Sequence, residues 1–299
     1  SFVSEIFFSI GTGLKNQLYK PVPIEKKISI TKDICLEYIV FMTDSALLYT
    51  NKLEEYARQL ENYEEHVDAE LFRVRILKTI GLLKESSEIL DKIDTLNISN
   101  NLKEFYFYTK LSVYNLMIDS AIDSQGKVKY KELADAVRAR LIEKQTLSAM
   151  DLVYISTEQL IMNKQYDEAL KKLLDIYYNI DTETRDAAVL AYAIARVYED
   201  KGDKEKTTEY FIRSAIADIK NGIKEYMSLR KVAALMFEYE DINRSYSYMK
   251  CAMEDAIFYN ARIRSLEASE MFLVIDQSYQ KKEEHGRFLL RIFLAITIA

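Results

Sequence analysis

The stretch AVLAYAIARVYEDKGDKEKTTEYFIRSAIADI, Ala188–Ile219, decides the fold. Leu190, Ile194, Val197 and Tyr198 recur at helical spacing. A charged turn, KGDKEK, follows and holds Gly202. A second helical pattern then runs through Tyr210, Phe211, Ala215 and Ile219. Two amphipathic helices joined by so short a turn form a hairpin of the length that builds stacked arrays.

The neighbouring segments repeat this layout. NKQYDEALKKLL places Ala169 after a charged turn, DKEKTTEYF places Thr207 at the equivalent point, and DINRSYSYM places Ser245, at steps of 38 residues. A small residue there lets the two helices of a hairpin approach closely. Upstream, Ser86 in GLLKESSEIL and Ala46 in FMTDSALLY play the same part. The 83-residue step from Ser86 to Ala169 leaves room for one less regular hairpin. Its first helix is expected in LKEFYFYTKLSVYNLMI and its second in KYKELADAVRARL, after an SQGK turn at Gly126. The pattern predicts an all-α α-solenoid of about six hairpins over residues 31–258, forming a right-handed superhelix. A leader at 1–30, a capping or signalling helix at 259–286 and an apolar tail at 287–299 complete the chain.

Composition agrees with helices joined by tight turns. The 299 residues hold only 7 Gly and 2 Pro, where average usage would give roughly 20 and 15. Trp is absent, which disfavours an aromatic platform for sugars. A net charge of −6 argues against direct nucleic-acid contact, which needs a basic face. Cys35 and Cys251 fit no zinc or disulfide pattern and read as core thiols. In the leader, Phe2, Val3, Ile6, Phe7, Ile10 and Leu14 make an apolar helical face, broken at Pro21 and Pro23. It reads as a cap over the first hairpin or as an interaction segment that forms a homodimer.

Chemistry has few parts in this sequence. His66 and His285 have no second ligand at metal spacing. No Ser/His or Cys/His pair suggests a nucleophile, and GTGLKN lacks the third glycine and the preceding strand of a phosphate loop. No catalytic residue, cofactor or metal is expected, and the protein reads as a non-enzyme. Helical arrays bind partners on the face lined by the first helix of each hairpin. The 38-residue register places Tyr154, Glu158, Tyr192, Arg196, Glu199, Arg230 and Phe237 there. That mixture suits a peptide or protein segment.

The hairpins resemble tetratricopeptide repeats, through Ala195 and Tyr198 in the first helix and the small residue with Phe211 in the second. The usual Trp and closing proline are missing. A narrower resemblance lies in 214–272: AIADIK, IKE, EDA with FYNAR, and the following R-SLE-S, joined by DSALLY at Asp44–Tyr49. These runs resemble a family of membrane-anchored tetratricopeptide regulators of Bacteroidetes. The resemblance implies a secretory leader, the repeats, one transmembrane helix, a cytoplasmic coiled coil and a region acting in transcription. It places this segment on the periplasmic side of the inner membrane, as a sensor. It also implies that Phe258–Arg264 locks the last hairpin onto the helix entering the membrane. A soluble cytoplasmic adaptor is the alternative.

The tail RFLLRIFLAITIA, Arg287–Ala299, has no polar face. It reads as the start of a membrane helix, shielded by another molecule or folded against the repeats. Thirteen residues reach only about 20 Å as a helix, short of a bilayer core of about 30 Å.

Overall fold

The structure is a computed structural model, which describes residues 13–39, 42–144, 149–223, 227–259 and 262–298. Among these residues the chain is all helical, without a strand. A short helical stretch at 13–18 (α1) leads into α2 (Ile24–Tyr38) and α3 (Thr43–Leu60). Then come α4 (Tyr63–Thr79), α5 (Leu83–Lys92), α6 (Asn100–Ser120), α7 (Ser124–Lys144), α8 (Ala149–Met162) and α9 (Tyr166–Tyr177). These make one compact unit. The second unit is built on α10 (Arg185–Lys201), α11 (Lys204–Lys220), α12 (Met227–Glu238), α13 (Ile242–Tyr259) and α14 (Arg262–Ile298).

The hairpin turns share one design. At Gly202 the backbone turns left-handed, with φ 77°. The Gly202 N–H donates to Glu199 O and the Asp203 N–H to Tyr198 O, both at 3.0 Å. This closes the helix end with its last carbonyls satisfied. The Asp203 carboxylate then caps α11 by accepting from the Lys206 N–H. Lys164 and Glu240, at the same 38-residue step, make the same pair of bonds with φ 59° each. Gly81 does so at φ 88°. Five residues after each left-handed residue stands a small buried one: Ser86, Ala169, Thr207 and Ser245. Ser245 Oγ donates across the hairpin to Ala233 O, 2.8 Å away, so the two backbones lie in close approach.

The less regular hairpin, α6–α7, has the equivalent small residue at Ala134, which is fully buried. Its turn differs from the sequence reading. SQGK lies inside α7, because the Asp123 carboxylate accepts the Gly126 N–H and starts the helix at Ser124. The turn is Ala121–Asp123.

In the first unit, α2 packs on α3, α4 on α3, α5 and α6, and α8 on α7 and α9. The helix α2 opens at Ile24, directly after Pro23 and inside the segment read as leader. Leu18 is buried with Ile28, Ile30 and Ile34, and Leu14 packs beside them. The other leader residues, Phe2 to Ile10, lie outside the described residues. Cys35 is buried, and burial pushes its thiol up to about 12. Cys251 is exposed rather than a core thiol, because its place on α13 faces away from buried Met249 and Ala252.

In the second unit, α10 packs on α11 and α11 on α12. One helix, α14, covers both the capping segment and the apolar tail. It is held on the last hairpin through Ala268, Phe272 and Ile275, which pack with Ala233, Phe237 and Met249. The ring of Tyr246 stacks on Tyr279 at 4.1 Å. Lys282 Nζ donates to Asn243 Oδ1. The spacing 268, 272, 275, 279, 282 is a seam of alternating four- and three-residue steps. Past that seam, Phe288, Leu289, Leu290, Ile292, Phe293, Leu294 and Ile296 are all exposed, at 41% or more. The tail is therefore not folded against the hairpins of the second unit. No helix among the described residues is long and apolar enough to cross a membrane.

Candidate functional site

The first helices of three consecutive hairpins, α4, α6 and α8, line a cleft of about 520 Å³ in the first unit. From α4 come Arg75 and Lys78; from α8 comes Asp151; and α6, between them, supplies Asn101, Glu104, Phe105, Tyr108, Thr109 and Ser112. The sequence places these residues by helical spacing. Arg75 and Lys78 are three apart, and 101, 105, 108 and 112 fall on one stripe.

The floor of the cleft is aromatic. Phe105 meets Phe72 edge-on at 6.1 Å. The Arg75 guanidinium lies 5.5 Å from the Phe105 ring and 5.8 Å from the Phe72 ring, a cation–π geometry that fixes a long side chain at modest entropic cost. Lys78 Nζ donates to Ser112 Oγ at 2.8 Å, and that hydroxyl donates to Thr109 O. Tyr108 is partly exposed. Burial pushes its phenol up, Asp151 and Glu158 add to the push, and Arg75 opposes it. Thr109 has a buried Oγ1 with no hydrogen-bond partner among the described residues. A buried hydroxyl left so carries an uncompensated desolvation cost.

The residues expected from the 38-residue register fall in two places. Tyr154 and Glu158 lie on α8 in the first unit, beside the cleft but not among its lining residues. Glu158 belongs to a polar joint. Arg138, on α7, is almost wholly buried and reaches Glu158 Oε2 at 3.4 Å while binding the Asp135 carboxylate. Asn115 Nδ2 also donates to Glu158 at 3.4 Å. Burial pushes the Glu158 carboxyl up, and Arg138 and Asn115 pull against it.

The other five lie in the second unit. Arg196 Nε is 3.4 Å from Glu199, which also receives Lys231 Nζ at 2.8 Å. Burial pulls the Arg196 guanidinium down, but Tyr192, Glu199 and Asp200 outweigh it and leave it raised. Tyr192 meets Phe211 edge-on at 5.3 Å. Arg230 stands half-buried on α12, next to Lys231, which pairs with Glu199. Phe237 packs on the core that seats α14, so its ring serves packing. The expected lock at Phe258–Arg264 spans the end of α13 and the start of α14, with residues 260 and 261 outside the described residues; Phe258 itself is exposed.

Sequence reasoning misses Arg75, Lys78, Phe105, Tyr108 and Asp151, because the regular 38-residue step reaches no further back than Tyr154. The apolar-aromatic run EFYFYTK was the available signal. Among the described residues, no group of His, Cys, Asp and Glu could hold a metal ion.

Stacked helical hairpins with a charged, aromatic cleft on their first helices define a tetratricopeptide-type interaction domain. Residues 12–270 match the family model of the SusR N-terminal TPR domain, and the chain belongs to that family. No curated protein matches the chain.

Proposed function

We propose that the chain is the extracytoplasmic interaction domain of a membrane-anchored transcriptional regulator, and that it does no catalysis itself. The observation carrying this reading is the cleft across α4, α6 and α8. Its aromatic floor and paired charges suit recognition of a peptide, protein or other envelope signal. The path outward is α14, seated on the last hairpin and continuing into an apolar segment interrupted by Arg291. In this reading the segment enters the inner membrane, with the repeats on the periplasmic side. A ligand moves α14 only if it binds one arrangement of the hairpins better than another. The soluble cytoplasmic adaptor is the competing reading, since interaction is the general use of such repeats.

Two experiments separate them. The exposed thiol of Cys251, against buried Cys35, allows a membrane-impermeant maleimide to report location. Labelling in spheroplasts supports the periplasmic placement, and labelling only after lysis supports the adaptor. Arg75→Ala with Tyr108→Ala in the full-length protein is expected to change the transcriptional response. An unchanged expression profile across growth conditions removes the sensor reading.

A further inference from the structure

We propose that a cluster where α1, α2 and α3 meet holds a phosphate monoester, between the ammonium groups of Lys15 and Lys52 and the phenols of Tyr19, Tyr38 and Tyr49. The site shares none of the lining residues of the α4–α6–α8 cleft, and it does not rest on the sensor reading.

Helical spacing prepares the cluster. Lys15 and Tyr19 are four residues apart, on α1 and the turn after it, and Tyr49 and Lys52 are three apart on α3. Each pair therefore lies on one face. Tyr38, the last residue of α2, stacks on Tyr49, with ring centres 5.9 Å apart and planes within 5°. Lys15 Nζ lies 5.0 Å from the Tyr38 ring centre and 5.7 Å from that of Tyr49. Lys52 Nζ lies 5.2 Å from the same Tyr49 centre and donates to the Tyr19 hydroxyl at 3.2 Å. Two ammonium groups thus share the ring of one buried tyrosine.

Their partners carry no negative charge. Lys15 hydrogen-bonds to the phenols of Tyr38 and Tyr49, and Lys52 to that of Tyr19. These bonds outweigh desolvation and hold both ammonium groups above the ordinary lysine value, so both stay charged at neutral pH. Neither is ion-paired with a carboxylate among the described residues. Glu54 and Glu55, next along α3, are engaged by Arg73 and Gln59. Two like charges around one ring repel each other, and neutral phenols do not cancel them.

The chemistry of the cluster selects the ligand. A phenol that accepts from a lysine keeps its own proton to donate. Two ammonium groups and three O–H groups therefore offer donors throughout, which suits an anion of several oxygens. A carboxylate brings one charge and two oxygens. A phosphate monoester brings a charge of about −1.5 to −2 at neutral pH and three strong acceptor oxygens, which matches both the charge and the donors. Tyr19 is 71% exposed, so the cluster is open to solvent on that side.

The phosphate belongs either to a soluble molecule or to a lipid headgroup, and one chemical group tests both. Glycerol 3-phosphate is titrated into the full chain by calorimetry. Phosphatidic acid presents the same group on vesicles, scored by flotation against pure phosphatidylcholine, since the apolar end of α14 attaches to either. Binding tighter than about 1 mM in solution assigns the soluble source. Enrichment on phosphatidic acid vesicles alone assigns the lipid. Solution binding should weaken from about pH 7.5 to about pH 5, as the ligand takes up its second proton. Lys15→Gln with Lys52→Gln should weaken binding about ten- to hundredfold, the scale of lost hydrogen bonds to a charged group. Lys26→Gln with Lys131→Gln removes the same charge from two exposed lysines elsewhere and should change it by less than about twofold. Circular dichroism checks folding, and Lys15→Gln and Lys52→Gln singly, each expected to show part of the loss, replace the double variant if it unfolds. The proposal is overturned if neither phosphate form binds, if acetate binds as tightly as glycerol 3-phosphate, if the single variants bind as the wild type does, or if the control pair costs as much as Lys15 and Lys52.

Discussion

In the hairpin α10–α11 the helix interface is made of Ala187, Ala188, Ala191 and Ala195 against Tyr210, Phe211, Ser214 and Ala215, all buried. Across that core Ser214 Oγ donates to Ala188 O at 2.9 Å, a short and neutral bond. Around α6, α7 and α8 the buried centre is a charge, Arg138, held by Asp135, Asn115 and Glu158. The first region gets its geometry from shape: alanines let a phenylalanine fill the gap. The second gets it from directional bonds that are formed only when three helices are in place. The difference is one of tolerance. A shape-filled joint fails in proportion to the volume lost, whereas a buried ion joint fails when one partner is removed and survives when all are replaced together.

The largest expected effect is at Phe211, which is fully buried. Phe211→Ala should cost about 3–5 kcal/mol, read by urea unfolding of the second unit. Arg138→Met should cost less, about 1–3 kcal/mol, by leaving Glu158 short of its donor. The contrast is sharpened by Arg138→Met with Glu158→Leu: if the joint is ionic, the pair together should come closer to wild type than Arg138→Met alone. A double variant worse than the sum of its parts would show that the joint is held by packing after all.

Titration gives a smaller effect. The Glu158 carboxyl is raised in the folded chain. Its protonated form is thus favoured by folding, and its contribution to stability is complete below the ordinary glutamate range, near pH 4.3. That contribution is lost as pH rises through the raised folded value. Urea midpoints measured from acid to neutral pH should show this decline in the wild type and a smaller one in Glu158→Gln, because Asp68 and Glu70 are raised in the same direction. The smallest effect is in the turns. Gly202 holds the left-handed position without strain, while Lys164 and Glu240 hold it with a Cβ. Lys164→Gly and Glu240→Gly should each raise stability by about 0.5–1 kcal/mol, and Gly202→Ala should lower it by about 1 kcal/mol, read as melting temperature.

The shape-filled hairpins were legible in the sequence because small residues leave a periodic mark: Ala169, Thr207 and Ser245 at equal steps. The left-handed turns behind that mark were half legible. Gly202 announces itself, but Lys164 and Glu240 carry no sign of their backbone until their hydrogen bonds are seen. The polar joint was not legible. In KELADAVRARL, Arg138 looks like any arginine on a solvated helix face, and only the approach of α6 and α8 buries it. The cleft was missed for a related reason. Apart from Arg75 and Lys78, its residues come from the irregular stretch between Ser86 and Ala169, where a fixed step cannot carry the register from one hairpin to the next. Burial and charge pairing across helices are properties of packing, and the periodicity of one helix does not encode them.

The seam between α14 and the last hairpin has a mechanical consequence. It grips the helix from Ala268 to Lys282, while the rest of α14, to Ile298, carries the exposed side chains of Phe288 to Ile296. That part is a lever arm of about 24 Å, at about 1.5 Å per residue. A tilt of roughly 5° at the Tyr246–Tyr279 stack displaces its far end by about 2 Å on that rise, so a rearrangement too small to unpack the hairpin is magnified where the apolar segment lies.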